Sequence, residues 1–236
     1  LVSSLQLGSS PALTILIGLI GMLIAVVVGV LVSLRLSLGE ESQEKPAFTW
    51  WVINRLAFLV AASNLASFLL YFLQERFPGL QGNAAAQPAT LLVMATGIAI
   101  LLAALPAGWL ADKIGTKPVL AVSGIIAAAG TLVVIAAQDM SMMTVGAVLV
   151  GVASGAFYSA NWALGTQIVP KKEAGRYLGI SNLAGAGAGA IGAYIGGPIG
   201  DSSGYVVQMA IYAALFLFST LALLRIKPAN HKAEHA

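Results

Sequence analysis

The stretch at residues 108–117, Gly108-Trp109-Leu110-Ala111-Asp112-Lys113-Ile114-Gly115-Thr116-Lys117, is a charged turn set between two long apolar runs. Each run is long enough to cross a bilayer, for which about 20 residues of helix suffice. Without a Cβ, Gly108 admits a neighbouring helix at close range. Asp112 is a carboxylate at a helix C-terminus, where the backbone dipole disfavours it, so it needs a cation or the N-terminus of another helix. Gly115 permits the left-handed backbone of a tight reversal, and Pro118 suits the first turn of the next helix. The stretch predicts two membrane helices joined by a short fixed loop; the plainer alternative is an ordinary polar hairpin.

Working outward, the whole chain has the same character. Of its 236 residues 58% are hydrophobic and 9% charged, against about 25% charged in soluble domains. The mean hydropathy is +0.90. This is the composition of an all-α integral membrane protein, in which spans are counted rather than domains. The net charge of +3 does not point to nucleic acid, because the basic residues sit in short loops, where they orient the chain and meet anionic lipid headgroups. With no cysteine there is no disulfide, thiol catalyst or thiolate metal site. The two histidines, His231 and His235, lie in a polar tail, and no cofactor is expected. Residues 1–11 lack the basic start of a signal peptide. The chain opens on Leu1 and reads as a piece of a longer one.

Seven spans are predicted at 12–35, 50–74, 89–111, 118–137, 142–164, 177–199 and 205–225. With the first residue outside, the inner side receives Arg35, Lys45, Arg55, Lys113, Lys117, Lys171, Lys172, Arg176, Arg225, Lys227 and Lys232, leaving Arg76 outside. The reverse orientation violates the positive-inside rule at nearly every loop. The expected arrangement is therefore a multi-pass protein of the plasma (inner) membrane with its C-terminus cytoplasmic.

Polar residues inside spans report which faces meet protein or a wet cavity. In the second span Ser63, Ser67 and Tyr71 recur every four residues, with Asn64 and Gln74 on the same side. In the fifth, Ser154, Tyr158, Asn161 and Trp162 do the same. The first and fourth spans carry no such stripe and read as lipid-facing. Two striped helices predict a cavity between them; hydrogen bonding between helices without any ligand is the alternative. Gly185, Gly189, Gly192 and Gly196 line one face of the sixth span and predict close helix packing. The run 187–192 also spells G-x-G-x-x-G, but no strand precedes it and no acidic residue follows at ribose distance, so it is no dinucleotide site. Arg55 is read as snorkelling to the headgroups or capping a neighbour, with a substrate or gating role as the alternative. Tyr194 is read as packing, and Trp50, Trp51 and Trp109 as belt residues. A cytoplasmic latch is expected between Asp112 and Arg176, or the start of that span, supported by Gly108, Lys113, Gly115, Lys117 and Glu173. It would be intact in one conformation and broken in another.

The 108–117 loop resembles the loop signature of the major facilitator superfamily, G-x-x-x-D-[RK]-x-G-x-[RK]. Together with the span count and the polar stripes, it makes nearly the whole chain similar to the C-terminal half of such a transporter. The resemblance implies that 1–36 holds an external segment and the last helix of the N-terminal half. Residues 37–48 would then be central cytoplasmic loop, 49–226 a six-helix C-terminal half and 227–236 a cytoplasmic tail. It also implies that the second and fifth spans here are the cavity-lining helices 7 and 10 of the fold. The segment Ala160-Asn161-Trp162-Ala163-Leu164-Gly165-Thr166, with Pro170, Glu173-Ala174-Gly175-Arg176 and Leu178-Gly179, is similar to the sucrose- and sugar-transporter-like branch, where an acid is expected beside the tryptophan. Here Asn161 stands in that place, and an amide cannot carry a proton. If the protein is a proton symporter, the titratable group lies in the missing N-terminal half, since every acid of this chain falls at a span end, in a loop or in the tail.

The leading expectation is a secondary transporter moving a small polar solute, with a sugar as the candidate, by alternating access. Its substrate contacts would come from Ser63, Asn64, Ser67, Tyr71, Ser154, Tyr158, Asn161 and Trp162. The competing classes are a non-transporting sensor or partner subunit of the same fold, a seven-helix receptor, and an intramembrane enzyme. The receptor reading leaves the 108–117 loop without a role. The enzyme reading lacks any Asp, Glu or His within a span to serve as base or ligand, so no enzymatic activity is expected.

Overall fold

The computed structural model describes residues 11–40 and 45–226, all helix and short connections, with no strand among the described residues. The long helices are α1 (Pro11–Leu38), α2 (Pro46–Ser67), α3 (Leu69–Arg76), α4 (Ala86–Ile114), α5 (Thr116–Ala136), α6 (Met140–Ile168), α7 (Ala174–Ala186), α8 (Ala188–Ser203) and α9 (Tyr205–Ala222). Among the described residues five helices are long and apolar enough to cross a membrane, and six if the bent pair α2–α3 is one span. The expected sixth span, 177–199, is occupied by α7 and α8, of 13 and 16 residues, interrupted at Gly187. Alternating glycine and alanine explain the interruption, since each interior glycine weakens a helix by about 1 kcal/mol relative to alanine. The expected outer segment 1–10, the loop acids Glu41 and Glu44, and the tail 227–236 lie outside the described residues.

The bend of 55° between α2 and α3 falls at Phe68. Its cause is local. Ser63 Oγ donates to the Leu59 carbonyl, Asn64 Nδ2 to that of Val60 and Ser67 Oγ to that of Ser63. Side chains that bond back onto carbonyls four residues earlier bend membrane helices.

The centre of the bundle is an aromatic junction. Phe58 of α2 stacks on Phe157 of α6, with ring centroids 3.7 Å apart and planes within 4°, and Phe216 of α9 meets Phe58 edge-on at 4.8 Å. All three are fully buried. Around it, α6 lies between α4 and α5, and α9 packs on α2 and α5. α1 lies against α2, α8 and α9 through Met22, Val26, Val30, Leu34 and Leu38, a stripe of four-residue spacing. Its opposite face, including Ile17, Ile20, Ile24 and Leu31, is exposed, as expected of a lipid-facing helix. α5 departs from that expectation: Val122, Ile125 and Leu132 face outward, but Leu120, Ala127, Ala128 and Thr131 are buried.

Contacts between loops divide the molecule into two ends. At one end Lys45 donates to the Tyr177 hydroxyl, Arg176 to the Ser37 carbonyl and Lys117 to that of Ile226, while Arg225 sits over the Trp50 ring. At the other end Arg76 donates from Nε to the Ala137 carbonyl at 3.0 Å, and Glu75 accepts from the Tyr205 amide at 2.6 Å. Glu75 thereby caps the first turn of α9, which starts after Gly204 at φ +92°.

Candidate functional site

A cavity of about 280 Å³ lies between α2, α4 and α6. Its walls are largely aliphatic, with Ser63, Thr96, Ser154 and Tyr158 as the polar groups that could orient a ligand. This volume falls just below the roughly 300–1,000 Å³ of small-molecule sites. The cavity is set by the near contact of α4 and α6. A Cβ at Gly151 would stand 2.6 Å from the Thr96 carbonyl oxygen and 2.7 Å from the Ala99 Cβ. A Cβ at Gly108 would meet Ser159 Oγ at 2.8 Å, the close approach expected of that glycine. Thr96 then bridges the two helices, donating to Leu92 at 2.9 Å within α4 and to Ala147 of α6 at 3.3 Å.

The eight expected substrate residues do not share one surface. Ser63, Ser154 and Tyr158 line the cavity. Asn64 is buried on the other side of α2, where it donates to the Ala188 carbonyl at 3.1 Å. Ser67 is exposed. Tyr71 lies beyond the bend on α3 and stacks on Tyr205 at 5.5 Å. The stripe drawn along a straight helix is therefore split, because the back-bonded side chains that compose it also bend the helix. Asn161 and Trp162 belong instead to a polar cluster around Arg55.

That cluster is the least expected feature of the molecule. Arg55 lies nine residues into α2, about 14 Å from its start. It does not snorkel: its side chain turns inward and the residue is 9% exposed. Nη1 donates to Asn161 Oδ1 at 3.0 Å and Nη2 to Asn182 Oδ1 at 3.3 Å, while Nε is buried without a partner. The guanidinium carbon stands 4.7 Å over the Trp162 ring, an interaction of about 0.5–2 kcal/mol. Asn161 passes the network on, donating to Asn54 Oδ1 at 3.0 Å, and Asn54 donates to the Ser219 carbonyl and hydroxyl, both at 2.8 Å. Trp51 is not at an interface but fully buried against Gly165, its indole donating to the Asn161 carbonyl at 3.1 Å. An arginine at such depth costs about 2.5–3.5 kcal/mol on insertion scales, and among the described residues no carboxylate stands within ion-pair distance of it. Asn54 and Ser219 were not singled out from the sequence. The signal available was the Asn54-Arg55 dipeptide inside an apolar helix.

The glycine face of the sixth span is also divided. Gly192 abuts the Asn64 amide and Gly196 the Tyr212 and Gln208 side chains, whereas Gly189 faces open space. Tyr194 is 87% exposed rather than packed. Backbone meets backbone at a glycine that was not singled out: a Cβ at Gly146 of α6 would lie 2.9 Å from the Gly130 carbonyl oxygen of α5.

Around the 108–117 loop, Gly115 adopts φ +95° and ends α4, as its sequence position predicts. Lys113 sits 3.8 Å over the Trp109 ring. The expected Asp112–Arg176 pair is not made. Arg176 pairs with Glu173 at 3.5 Å and donates to Ser37 at 3.1 Å, and Asp112 is exposed. The reason is that Glu173, one turn before Arg176, reaches it more cheaply than a carboxylate on another helix. No group of three or more His, Cys, Asp or Glu side chains among the described residues could hold a metal ion.

Over 134 residues, 56% of this chain, the protein is 29% identical to the minor myo-inositol transporter IolF of Bacillus subtilis (strain 168). The matched stretch covers 30% of that protein's length. No solved structure matches the chain. With residues 56–236 matching the family model, the chain belongs to the Major Facilitator Superfamily.

Proposed function

We propose that this chain supplies the C-terminal half of a secondary transporter that carries a small hydroxylated solute by alternating access. In this reading α2 with α3, α4, α5, α6, α7 with α8, and α9 form the six-helix half, and α1 is the last helix of the other half. The cationic end is cytoplasmic, the membrane is the plasma (inner) membrane, and the rest of the polypeptide provides the second rocking half. One observation carries the proposal: a cavity of monosaccharide size flanked by two helices whose serines and tyrosine turn into it. Hydroxyl donors suit a solute rich in hydroxyls, and the relative's printed substrate, myo-inositol, belongs to that chemistry. Ser63, Ser154 and Tyr158 are the proposed contacts. The Asp112–Arg176 latch is assigned to a conformation other than this one. Coupling to protons requires a titratable group outside this chain's spans, because the described acids lie at helix ends.

The test is uptake of radiolabelled polyols and sugars into proteoliposomes holding the full-length protein. Flux is expected with the full-length protein and is expected to be lost on Tyr158→Phe combined with Ser154→Ala. Solute flux through the monomeric 236-residue chain alone would overturn the half-transporter reading.

A further inference from the structure

The cavity between α2, α4 and α6 is polarised along its length. Its hydroxyls are those of Ser63, Thr96, Ser154 and Tyr158. On each helix they lie nearer the cationic end of the bundle than the aliphatic lining does. Leu69 follows Ser63 by six residues toward the end where Arg76 meets Ala137, Leu92 precedes Thr96 by four, and Met143 precedes Ser154 by eleven, about 16 Å along α6. Val134, close to the end of α5, completes the apolar end. The hydroxyls also differ in what they can give. Ser63 Oγ donates to the Leu59 carbonyl at 2.5 Å, and Thr96 Oγ1 to the carbonyls of Leu92 and Ala147 at 2.9 and 3.3 Å, so both can accept from a ligand but have no proton left to offer. Ser154 and Tyr158 make no hydrogen bond to another described residue and stand one turn apart on α6, so the free donors form a single pair. At the apolar end the helix backbones are paired within their own ladders. A solute hydroxyl directed there would leave water and find no partner, whereas a methyl or methylene would gain by burial.

We infer that the cavity takes an amphipathic polyol, a small hydroxylated solute that carries a methyl or deoxy carbon. Its hydroxyls meet Ser154 and Tyr158, and its carbon end lies against Leu69, Leu92, Val134 and Met143. This rests on the transporter reading above and narrows its substrate class. A cyclitol such as myo-inositol, with a hydroxyl on every ring carbon, is the poorer ligand here, because whichever edge enters the apolar end brings a hydroxyl with it.

The test uses matched pairs of solutes that differ by one apolar group, bound to the full-length protein in lipid nanodiscs. The pairs are D-galactose with D-fucose, its deoxy counterpart, and D-chiro-inositol with D-pinitol, its O-methyl ether. In each pair the second member is expected to bind at least tenfold more tightly. Val134→Thr keeps the side-chain shape and adds an oxygen at the apolar end that can accept from a solute hydroxyl; it is expected to shrink that ratio threefold or more. Should that variant fail to fold, Met143→Gln, of similar length, provides the same reading. Ser154→Ala is expected to weaken both members of a pair and leave their ratio unchanged, which separates the two ends of the cavity. Equal or tighter binding of the fully hydroxylated members overturns the inference, as does a ratio untouched by Val134→Thr or Met143→Gln in a folded protein, or the absence of saturable binding by all four solutes. Flux assays separate this from failure of the transporter reading. Transport of D-galactose or D-chiro-inositol without the stated preference sinks the present inference alone, and preferential binding without flux of any solute sinks the other.

Discussion

Two alanine substitutions on the facing helices α4 and α6 separate packing from propensity. Gly151→Ala puts a methyl 2.6 Å from the Thr96 carbonyl oxygen and 2.7 Å from the Ala99 Cβ. Ordinary carbon–oxygen contacts lie at about 3.3–3.6 Å, so α4 and α6 must part by roughly 1 Å along a seam where neither backbone can yield locally. Overpacking of this kind costs about 1–3 kcal/mol. Alanine returns about 1 kcal/mol through helix propensity, leaving a net loss of roughly 0–2 kcal/mol. Gly97→Ala on α4 meets nothing within 4 Å, so it gains propensity alone, about 0.5–1 kcal/mol. The propensity contribution is common to both variants, and the difference between them isolates the steric cost. At about 2–4 °C per kcal/mol for a chain of this size, Gly151→Ala is expected to unfold roughly 2–12 °C below Gly97→Ala in detergent or nanodiscs. Equal midpoints, or the reverse order, would refute the claim that backbone contact at Gly151 sets the α4–α6 spacing.

Other substitutions test individual contacts. Glu75→Gln removes the charge that caps α9, and a loss of about 1 kcal/mol is expected in thermal unfolding, with exchange of the Tyr205 amide accelerated. Trp162→Leu removes the face covering Arg55 and is expected to cost about 0.5–2 kcal/mol; an unchanged midpoint would show that the stacking is idle. Arg176→Gln breaks a half-exposed pair with Glu173 and is expected to change stability by no more than about 1 kcal/mol. Asp112→Asn is expected to leave unfolding unchanged yet alter the labelling of single cysteines placed at the two ends, against these 236 residues that hold no cysteine of their own. Labelling identical to the parent would remove the latch from the mechanism.

Much of the fold was legible because hydropathy and glycine act locally. The apolar runs become helices where they were expected, and Gly115 ends α4 because its left-handed backbone suits few other residues. The candidate site was legible only in part. The i, i+4 projection treats a helix as straight, and Ser63, Asn64 and Ser67 violate that assumption by bonding to their own helix, which sends Asn64 to α8 and Tyr71 to Tyr205. Arg55 was misread because its distance from the helix start does not reveal which way its side chain turns. That is decided by Asn161 and Asn182, over a hundred residues away in the chain. Gly146, Gly151 and Gly155 carry the same small-residue signature as the sixth span, but only the third dimension tells which glycine faces meet another backbone.

The interruption at Gly187 gives the bundle two mechanical grades. α6 runs unbroken from one end to the other and is keyed to α2 by the stacked Phe157 and Phe58 rings, so a displacement at one of its ends is carried along it as by a strut. Between the same two ends α7 and α8 are joined at a residue with no side chain to resist rotation, so the same displacement is absorbed there. Under the alternating-access reading proposed above, the two grades divide the labour: one member carries motion and the other takes up the slack.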